Sequence, residues 1–426
     1  MAGVSTLRIW LVTIGEPWPI DGINPRLHRT GSMAFLYAGL GDQVVWFNNT
    51  FDHYKKKHRF PLGTTIEPLP NLTLIGLHGK AYKRNVSLER INHHREVATE
   101  WERISENLPK PDIIVASMPP LELSRAAVRF GRRNHIPVVV DIRDLWPDIF
   151  LEVFPKGTKW IGKVAIAPFY KMLDESVRDA SAISGVSEHA VDWALSSAGK
   201  HRSKYDGQLP LAYSPDMFSS SEITAAREFW DRVGIRAGDT ELTICFFGTF
   251  TPRIDLDVVL SAARQIPASM KDKIRLVLCG IGALADKVKA CSSDTPGVIA
   301  PGWLNGAQIN VLMQRSHVGL LPYPDTFAKI VPNKVFDYLS GGLPVLTCLR
   351  GVTSDLIIGN QAGWMYNSGD AEDLVRMLVK LSQNRSGIAE AAICSAKLSK
   401  HFTAKKIYGE FRERLKSIIE AESKPQ

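Results

Sequence analysis

Short apolar runs alternate with amphipathic helical segments along the whole chain of 426 residues. Five runs in the first half predict buried strands, at residues 7–14, 43–47, 71–77, 113–117 and 138–142. The pattern restarts at residue 242 and predicts six more strands, at 242–247, 274–279, 297–299, 318–322, 345–348 and 363–365. Continuous apolar strands separated by helices are typical of βαβ units, so the sequence predicts an α/β protein with two parallel sheets.

The segment between the two series contains Pro210 and Pro215 among small polar residues, which is typical of a linker between domains. A final helix, from Thr403 onwards, has apolar residues at helical spacing, among them Phe411 and Leu415. We therefore expect an N-terminal domain at 1–210, a second domain at 211–402 and a C-terminal helix at 403–426.

Composition places the chain among globular proteins, with 45% hydrophobic and 23% charged residues. The sequence contains no apolar run of the roughly 18 residues that span a bilayer. The apolar stretch at 9–14 could belong to a short signal peptide, but it lacks a basic leader, and a first buried strand is the preferred interpretation. Five cysteines without metal-ligand spacing indicate buried thiols in a reducing cytoplasm, and no metal is expected.

The net charge is +8, and basic residues cluster at 55–59, 83–84 and 129–133. These clusters are either solvated surface or sites of attraction to anionic lipid head groups. The second alternative would bring the protein to the inner face of the cell membrane as a peripheral protein. Nucleic acid is not expected as a partner, because no recognition motif accompanies the charge.

The segment 332–346, PNKVFDYLSGGLPVL, contains the clearest candidate chemistry. Pro332 suits a helix start, and the paired glycines suit a helix end before a strand. Asn333, Lys334 and Asp337 would gather at the N-terminus of this short helix, where free backbone N–H groups and the helix dipole favour an anion. A lysine adds positive charge and a carboxylate can bind sugar hydroxyls, which is the chemistry that a nucleotide-sugar donor needs.

At 332–345 the sequence resembles the retaining glycosyltransferases of the large family 4 group, in the branch that builds bacterial surface polysaccharides such as O-antigen and capsule. Seven more segments resemble the family in the same order: 110–120 (KPDIIVASMPP), 141–148 (DIRDLWPD), 184–188 (SGVSE), 246–249 (FFGT), 279–282 (CGIG), 301–304 (PGWL) and 369–374 (GDAEDL). The resemblance implies the GT-B architecture, in which two Rossmann-like domains face each other and a C-terminal helix crosses back to the first domain.

The resemblance also implies that the second domain binds the donor. There the carboxylate of Asp337 would bond ribose hydroxyls, and Lys334 would either neutralise a phosphate or remain solvated. Gly280 and Gly282 would let the backbone approach the nucleotide, or would form a tight turn without a ligand. The donor-binding residues implied in this way are Gly248, Gly280, Gly282, Trp303, Lys329, Asn333 and Asp337.

The chain departs from the family pattern at two places. Lys329 stands where the broader superfamily has a glutamate that holds the donor's sugar, and Asp325 is a possible substitute. Thr249 and Ile254 stand where an arginine and a lysine commonly contact the diphosphate, so Arg253 is the candidate for the displaced cation.

On the acceptor side, Gly15 leaves the first strand, and Arg26 and Arg29 follow close behind it. These cations would meet the acceptor's diphosphate or belong to the charged surface. Arg143 and Asp144 occupy a turn where many relatives place a histidine near the reacting sugar. They would contact the sugar or form an ion pair with each other. Arg143, Asp144, Arg253 and Lys334 are the candidate catalytic residues.

The sequence thus predicts transfer of a sugar from a nucleoside diphosphate sugar to a lipid-linked or growing glycan. UDP is the nucleotide expected. Retention of anomeric configuration is implied by the family alone, and no cofactor is expected. Two alternatives stay open: a nucleotide-sugar 2-epimerase of the same architecture, and a non-catalytic scaffold at the membrane that has lost donor contacts.

Overall fold

In a computed structural model, the chain divides into two compact units, Met1–Ala212 with Ala404–Gln426, and Tyr213–Thr403. The structure describes residues 6–21, 27–53, 55–153, 159–213, 218–252, 254–325 and 331–423. The sequence predicts domain boundaries after residues 210 and 402, and the contacts divide the chain after residues 212 and 403.

The first unit contains an eight-stranded sheet and a two-stranded ribbon, β3 with β4. Its strands are β1 Arg8–Val12, β2 Gln43–Asn49, β3 Phe51–Asp52, β4 Lys57–His58, β5 Thr65–Leu69, β6 Leu72–Leu77, β7 Ile113–Met118, β8 Val138–Ile142, β9 Ala182–Gly185 and β10 Gly207–Gln208. The order in the large sheet is β10-β9-β8-β7-β1-β2-β6-β5. Its pairs are parallel except β5 with β6, which places an antiparallel strand at one edge.

Helices cover both faces of this sheet, because most residues of its central strands are apolar and buried on both faces. They are α1 Arg29–Gly39, α2 Leu88–Ser105, α3 Leu121–Asn134, α4 Lys159–Ala165, α5 Ala167–Asp179 and α6 Glu188–Ser197, with a 3-10 helix at Asp148–Val153. The N-cap of α2 is Ser87, whose hydroxyl accepts a hydrogen bond from the Arg90 amide at 3.2 Å.

The second unit contains a six-stranded sheet in the order β13-β12-β11-β14-β15-β16, and all its pairs are parallel. Its strands are β11 Leu242–Thr249, β12 Ile274–Ile281, β13 Val298–Gly302, β14 Val318–Leu321, β15 Val345–Thr347 and β16 Gly363–Met365. Counted from the first strand of the unit, this is the order 3-2-1-4-5-6 of the doubly wound dinucleotide-binding fold.

The helices of the second unit are α7 Ser220–Val233, α8 Leu256–Gln265, α9 Ala285–Asp294, α10 Gly306–Arg315, α11 Asn333–Ser340, α12 Val352–Gly359, α13 Ala371–Gln383 and α14 Arg385–Ser399, with 3-10 helices at Ala268–Met270 and Lys400–Phe402. A capping box between Ser219 and Glu222 starts α7, and Gly234 ends it with φ of +87°.

The last helix, α15 Ala404–Glu422, packs on the first unit. Phe411 and Leu415 are buried beside α1, and the Tyr37 hydroxyl donates to the Tyr408 carbonyl at 3.0 Å. Arg412 forms a buried ion pair with Asp42, whose carboxylate also accepts from the Leu7 amide. These contacts confirm the predicted return of the C-terminal helix.

Each strand predicted from the apolar runs is present, with ends that differ by up to three residues. The sequence did not predict β3, β4, β5, β9 or β10. None of the described helices combines the length and the apolar character needed to cross a membrane. All five cysteines are free thiols, and burial raises the pKa of Cys245 to about 12.

Candidate functional site

In the second unit, the strand order reverses between β11 and β14, because β12 and β13 extend the sheet on one side of β11 and β14 to β16 extend it on the other. Ligands of open parallel sheets bind outside the carboxyl ends of the strands at such a switch point. Gly248 lies at the carboxyl end of β11, and α11 follows β14 in the chain. Both belong to the segments that the sequence assigns to the donor.

Three glycines let the ends of β11 and β12 approach closely. Gly248 pairs with Gly280 in the sheet register, and a Cβ at Gly280 would overlap the Gly248 carbonyl oxygen. Gly248 and Gly282 have φ of +147° and +139°, which other residues rarely adopt. A Cβ on Gly282 would lie 2.5 Å from the Phe250 carbonyl oxygen. The two strand ends therefore form a tight turn, which agrees with both alternatives that the sequence left open, a turn beside a nucleotide and a turn without a ligand.

Helix α11 is fixed to the sheet by Tyr338. Its ring lies against Gly319 of β14, where any side chain would overlap it. Its hydroxyl donates to the carbonyls of Leu320 at 2.9 Å and Cys245 at 3.3 Å. Residues four apart share a helix face, so this anchor also orients Lys334, one turn earlier. A glycine inside the apolar strand 318–321 was the sequence signal for such a close approach.

Lys334 lies directly over the end of β11. A Cβ at Gly248 would overlap its Nζ and lie 2.5 Å from its Cε, so the absence of a side chain at Gly248 makes room for the lysine. Nζ is 5.0 Å from the ring centre of Phe247 and 5.4 Å from that of Phe246. These rings attract the ammonium group and hold it at the carboxyl edge of the sheet.

Asn333 and Asp337 lie on the same short helix. Asn333 is exposed in its first turn, and Asp337 is half-buried. Burial raises the pKa of Tyr323, and the charge of Asp337 raises it further, so the two side chains are electrostatic neighbours. Tyr323 was not predicted as a site residue, and its position after β14 is the signal that could have suggested it.

Trp303 follows β13, and its side chain is 66% exposed. Gly302 pairs with Cys279, so Trp303 begins beside the glycine turn of β12, where Ile281 is exposed as well. The sequence alone left open whether Trp303 flanks a nucleobase or belongs to the core, and its exposure excludes the core. An exposed indole next to open main-chain groups can pack against a planar ligand.

The other residues that the sequence singled out near the donor and acceptor are either outside the described part of the chain or held by contacts within the protein. Lys329, Arg253 and Arg26 lie outside the described residues. Asp325 accepts a hydrogen bond from the Arg350 amide at 3.1 Å, which occupies one oxygen of the proposed substitute for the missing glutamate. Ile254 is buried in the core of the second unit.

In the first unit, the switch point lies between β1 and β7, and a buried cluster of four charges lies at its carboxyl edge. Arg29 donates to both oxygens of Asp141 at 3.0 Å, and Arg143 donates from Nε to Asp141 at 3.0 Å and from Nη1 to Glu16. Glu16 also accepts from the amides of Thr30 and Gly31 at the start of α1.

The electrostatics of this cluster follow from burial and pairing. Burial acts to raise the pKa of Glu16, but Arg143, His28 and hydrogen bonds outweigh it and lower the pKa. Burial likewise acts to raise the pKa of Asp141, and the two arginines lower it overall. Both carboxylates are therefore ionised at neutral pH, and the cluster carries no net charge.

The cluster corrects two predictions. Arg29 is only 3% exposed, so it is not part of a charged surface. Its Nη1 pairs with Asp141, whereas its Nε and Nη2 have no hydrogen-bond partner among the described residues. Arg143 pairs with Glu16 and Asp141, whereas the sequence suggested a pair with Asp144. Asp144 instead acts on Arg90, whose pKa its charge raises against the larger effect of burial. Gly15 is exposed, has φ of +76° and donates to the Asn49 side chain at 2.8 Å.

The two units therefore have the GT-B fold, and the second unit matches a family of glycosyltransferases. Residues 241–384 match the family described as "Glycosyl transferases group 1". This range includes Gly248, Gly280, Trp303, Lys334 and Asp337. A comparison with curated proteins gives no match.

Three solved structures illustrate the fold. Sucrose-phosphate synthase from Thermosynechococcus elongatus is 13% identical with a TM-score of 0.72, over 97% of this chain and 100% of that one. Anabaena HepE in complex with UDP-glucose is 15% identical with a TM-score of 0.61, over 96% and 100%. A UDP-forming α,α-trehalose-phosphate synthase from Burkholderia xenovorans is 12% identical with a TM-score of 0.66, over 97% and 99%. At these identities the likeness concerns the fold alone.

Proposed function

We propose that the protein is a glycosyltransferase that moves a sugar from a nucleoside diphosphate sugar to a lipid-linked or growing glycan acceptor. UDP is the proposed nucleotide, because the solved structure of HepE with the same fold holds UDP-glucose. Retention of anomeric configuration is proposed from the family resemblance in segment 332–345.

One observation carries the proposal: Lys334 lies over the Gly248–Gly280 pair at the switch point of a doubly wound sheet. Main-chain groups at the glycine turn and amides at the start of α11 can donate to phosphate oxygens. The ammonium group supplies positive charge at the same edge. Such a combination suits a diphosphate.

In the proposed reaction, the bond between the anomeric carbon and the diphosphate oxygen breaks, and a bond to an acceptor hydroxyl oxygen forms. The diphosphate departs with the bonding electrons, and its departing oxygen takes up the proton that the acceptor hydroxyl loses. Stabilising that departing charge is the main electrostatic task, which we assign to Lys334, the α11 amides and Arg253. Asp337 is proposed to bond the ribose and Trp303 to pack beside the base.

We assign acceptor binding to the first unit, where Gly15, Arg143 and Asp144 follow strands at the carboxyl edge of the sheet. Arg26 is proposed for this role from the sequence alone. The basic residues at 55–59 and 83–84 support peripheral contact with anionic lipid at the inner face of the cell membrane. This proposal requires neither a metal ion nor another cofactor.

Isothermal titration with UDP, GDP and dTDP tests the donor site. UDP should bind, and Lys334→Met should weaken binding roughly ten- to a hundredfold, as expected for loss of a charge-assisted contact. Lys287→Met is the matched control, because Lys287 is exposed in the same unit and pairs with Asp257. Asp337→Asn should weaken UDP binding with little change in melting temperature.

The same titration separates the alternatives. If none of the three nucleotides binds, the scaffold replaces the proposal. If UDP binds and the sugar of a UDP-sugar interconverts without an acceptor, the protein is an epimerase. The anomeric configuration of the transferred sugar, read by NMR from the one-bond coupling at the anomeric carbon, tests retention separately.

A further inference from the structure

The first unit also contains a cavity of about 330 Å³, and none of the residues of the four-charge cluster lines it. Aromatic rings form much of its wall: Trp146 lies 4.6 Å from Phe150, and Phe150 lies 5.9 Å from Phe169, between ring centres. Trp146 follows β8, Phe150 lies in the 3-10 helix and Phe169 lies in α5. The first turns of α2 form the opposite wall, with Leu88 and Ile91. The cavity is therefore mainly apolar.

A buried polar atom in this wall lacks a hydrogen-bond partner among the described residues. His94 of α2 lines the cavity and is only 2% exposed, and its Nε2 makes no hydrogen bond within the described part of the chain. Its Nδ1 is 3.7 Å from a Glu122 oxygen, beyond hydrogen-bond distance. Buried polar atoms are nearly always hydrogen-bonded, so an unsatisfied one in a cavity wall indicates that a polar ligand atom belongs there.

Positive charge lies at the same wall. Arg90, one turn before His94, also lines the cavity, and its buried Nε has no hydrogen-bond partner among the described residues. Its guanidinium is 4.8 Å from the Trp146 ring centre, and its Nη1 donates to the Asn85 carbonyl at 2.9 Å. The charges of Asp144 and Glu122 also act on Arg90, but burial outweighs them and lowers the pKa of its guanidinium.

Lys56 lies near this wall but does not line the cavity. Its Nζ donates to the side chain of Asn85 and is 4.8 Å from the Tyr82 ring centre. Burial lowers the pKa of Lys56 and the charge of Arg90 lowers it further, although Asp52 acts in the opposite direction. An anion bound at Arg90 would therefore also favour the protonated form of Lys56.

The mouth of the cavity is apolar and open to solvent. Leu88 is 78% exposed, and Val86 beside it is exposed as well. Helix α4, next to the 3-10 helix and α5, exposes Trp160 and Val164. Clustered exposed apolar side chains around a cavity indicate a binding surface for an apolar partner.

We propose that this cavity binds an anionic amphiphile, with a hydrocarbon chain among Trp146, Phe150 and Phe169 and a phosphate at Arg90. A single alkyl or prenyl phosphate has this chemistry. Its identification as the lipid end of the acceptor rests on the proposed function, whereas binding of the amphiphile does not.

Binding of dodecyl phosphate below its micelle concentration, measured by isothermal titration, tests the proposal. We expect saturable binding that is at least tenfold tighter than that of dodecanol or inorganic phosphate, since both parts of the site then contribute. Arg90→Ala should weaken dodecyl phosphate binding about tenfold and leave dodecanol binding nearly unchanged. Arg103→Ala, on the exposed end of the same helix, is the matched control.

The chain position can be measured independently of these variants. A terminally brominated analogue should quench tryptophan fluorescence, and Trp146→Phe should remove most of that quenching. Leu88→Gln, at an exposed position that should tolerate a polar side chain, should weaken the binding of dodecyl phosphate and dodecanol alike. Ile393→Gln, at an exposed position of α14, is its control and should change neither.

Absence of saturable binding, or equal effects of Arg90→Ala and Arg103→Ala, would overturn the proposal. If the protein bound anionic vesicles but not dodecyl phosphate, that result would also overturn the proposal and indicate membrane contact instead. UDP titration keeps the two proposals apart. Bound UDP without bound amphiphile refutes only this site, and the reverse refutes only the donor site.

Discussion

The four-charge cluster of the first unit gives a double-mutant cycle with a definite sign. Arg29 and Arg143 face Asp141 and Glu16 in a region where the Asp141 side chain is fully buried and that of Arg143 is 20% exposed. Arg143→Met leaves two carboxylates against one arginine, and Glu16→Gln leaves two arginines against one carboxylate. Each single change therefore places one uncompensated charge in the interior, at a cost of about 3–5 kcal/mol of unfolding free energy.

The double variant removes one charge of each sign and keeps the pair of Arg29 with Asp141. We expect its loss of stability to be smaller than the sum of the single losses by about 2–3 kcal/mol, at the upper end of coupling between contacting residues. Urea unfolding, followed by hydrogen exchange of peptides from β8 and α1, measures the loss of stability of the first unit separately from that of the second unit. Arg132→Ala is a control, because its ion pair is largely exposed and should contribute less than about 1 kcal/mol.

The cycle also has a pH signature. The pKa of Glu16 is lower in the folded protein than its ordinary value of 4.5, so its contribution to stability is present above that value and is lost as pH falls below it. Variants with Glu16→Gln should lose less stability on acidification than their parents. If Arg143→Met costs under about 1 kcal/mol, or the two single losses simply add, the cluster is not the tightly coupled unit described here.

Other parts of the molecule give four more measurable outcomes. Gly280→Ala should lower UDP affinity and cost about 1–3 kcal/mol of stability, because its Cβ would overlap the facing carbonyl oxygen. Arg412→Met should destabilise the first unit by about 3–5 kcal/mol, seen as faster hydrogen exchange of α15, since it leaves Asp42 buried and unpaired. Trp303→Ala should change stability by less than about 0.5 kcal/mol and weaken UDP binding about three- to tenfold in titration. Burial lowers the pKa of His53 to about 4, so stability should fall between pH 6.5 and 4 as the unfolded chain takes up the proton, and His53→Asn should flatten that fall in melting temperature.

Local patterns were sufficient to predict the second sheet and α11. Each strand of this sheet is an apolar run, and the proline and glycines around 333–340 mark the helix ends chemically. The predicted ends of β11 and β12 come too early in the chain. The ladder continues past the predicted runs 242–247 and 274–279 to Thr249 and Ile281. Pairing between backbones extends a strand without any signal in its side chains.

The additional strands of the first unit lacked such a pattern. The residues of β5 are half-buried or exposed at an antiparallel edge, and β10 has only two residues. Short or edge strands owe their conformation to the neighbouring strand rather than to an apolar run of their own. They could not be predicted without knowing which strand lies beside them.

Charge partners were the other feature beyond reach. The basic cluster 129–133 suggested an open positive surface, yet Arg129 pairs with Glu175, Arg132 with Asp179 and Arg133 with Glu106. These partners are 27 to 47 residues away in the chain. The four-charge cluster likewise joins residues more than 100 positions apart. Sequence alone could propose the cations but not their counter-ions.

The return of α15 to the first unit has a consequence for biosynthesis. Tyr408, Phe411 and Leu415 complete an apolar core that begins with β1, yet they leave the ribosome after the whole second unit. Until then, the nascent first unit exposes the groove that α15 will fill, together with the unpaired Asp42. The second unit can mature first, and a chaperone that shields an open apolar groove would act on the part of the protein that was translated earliest.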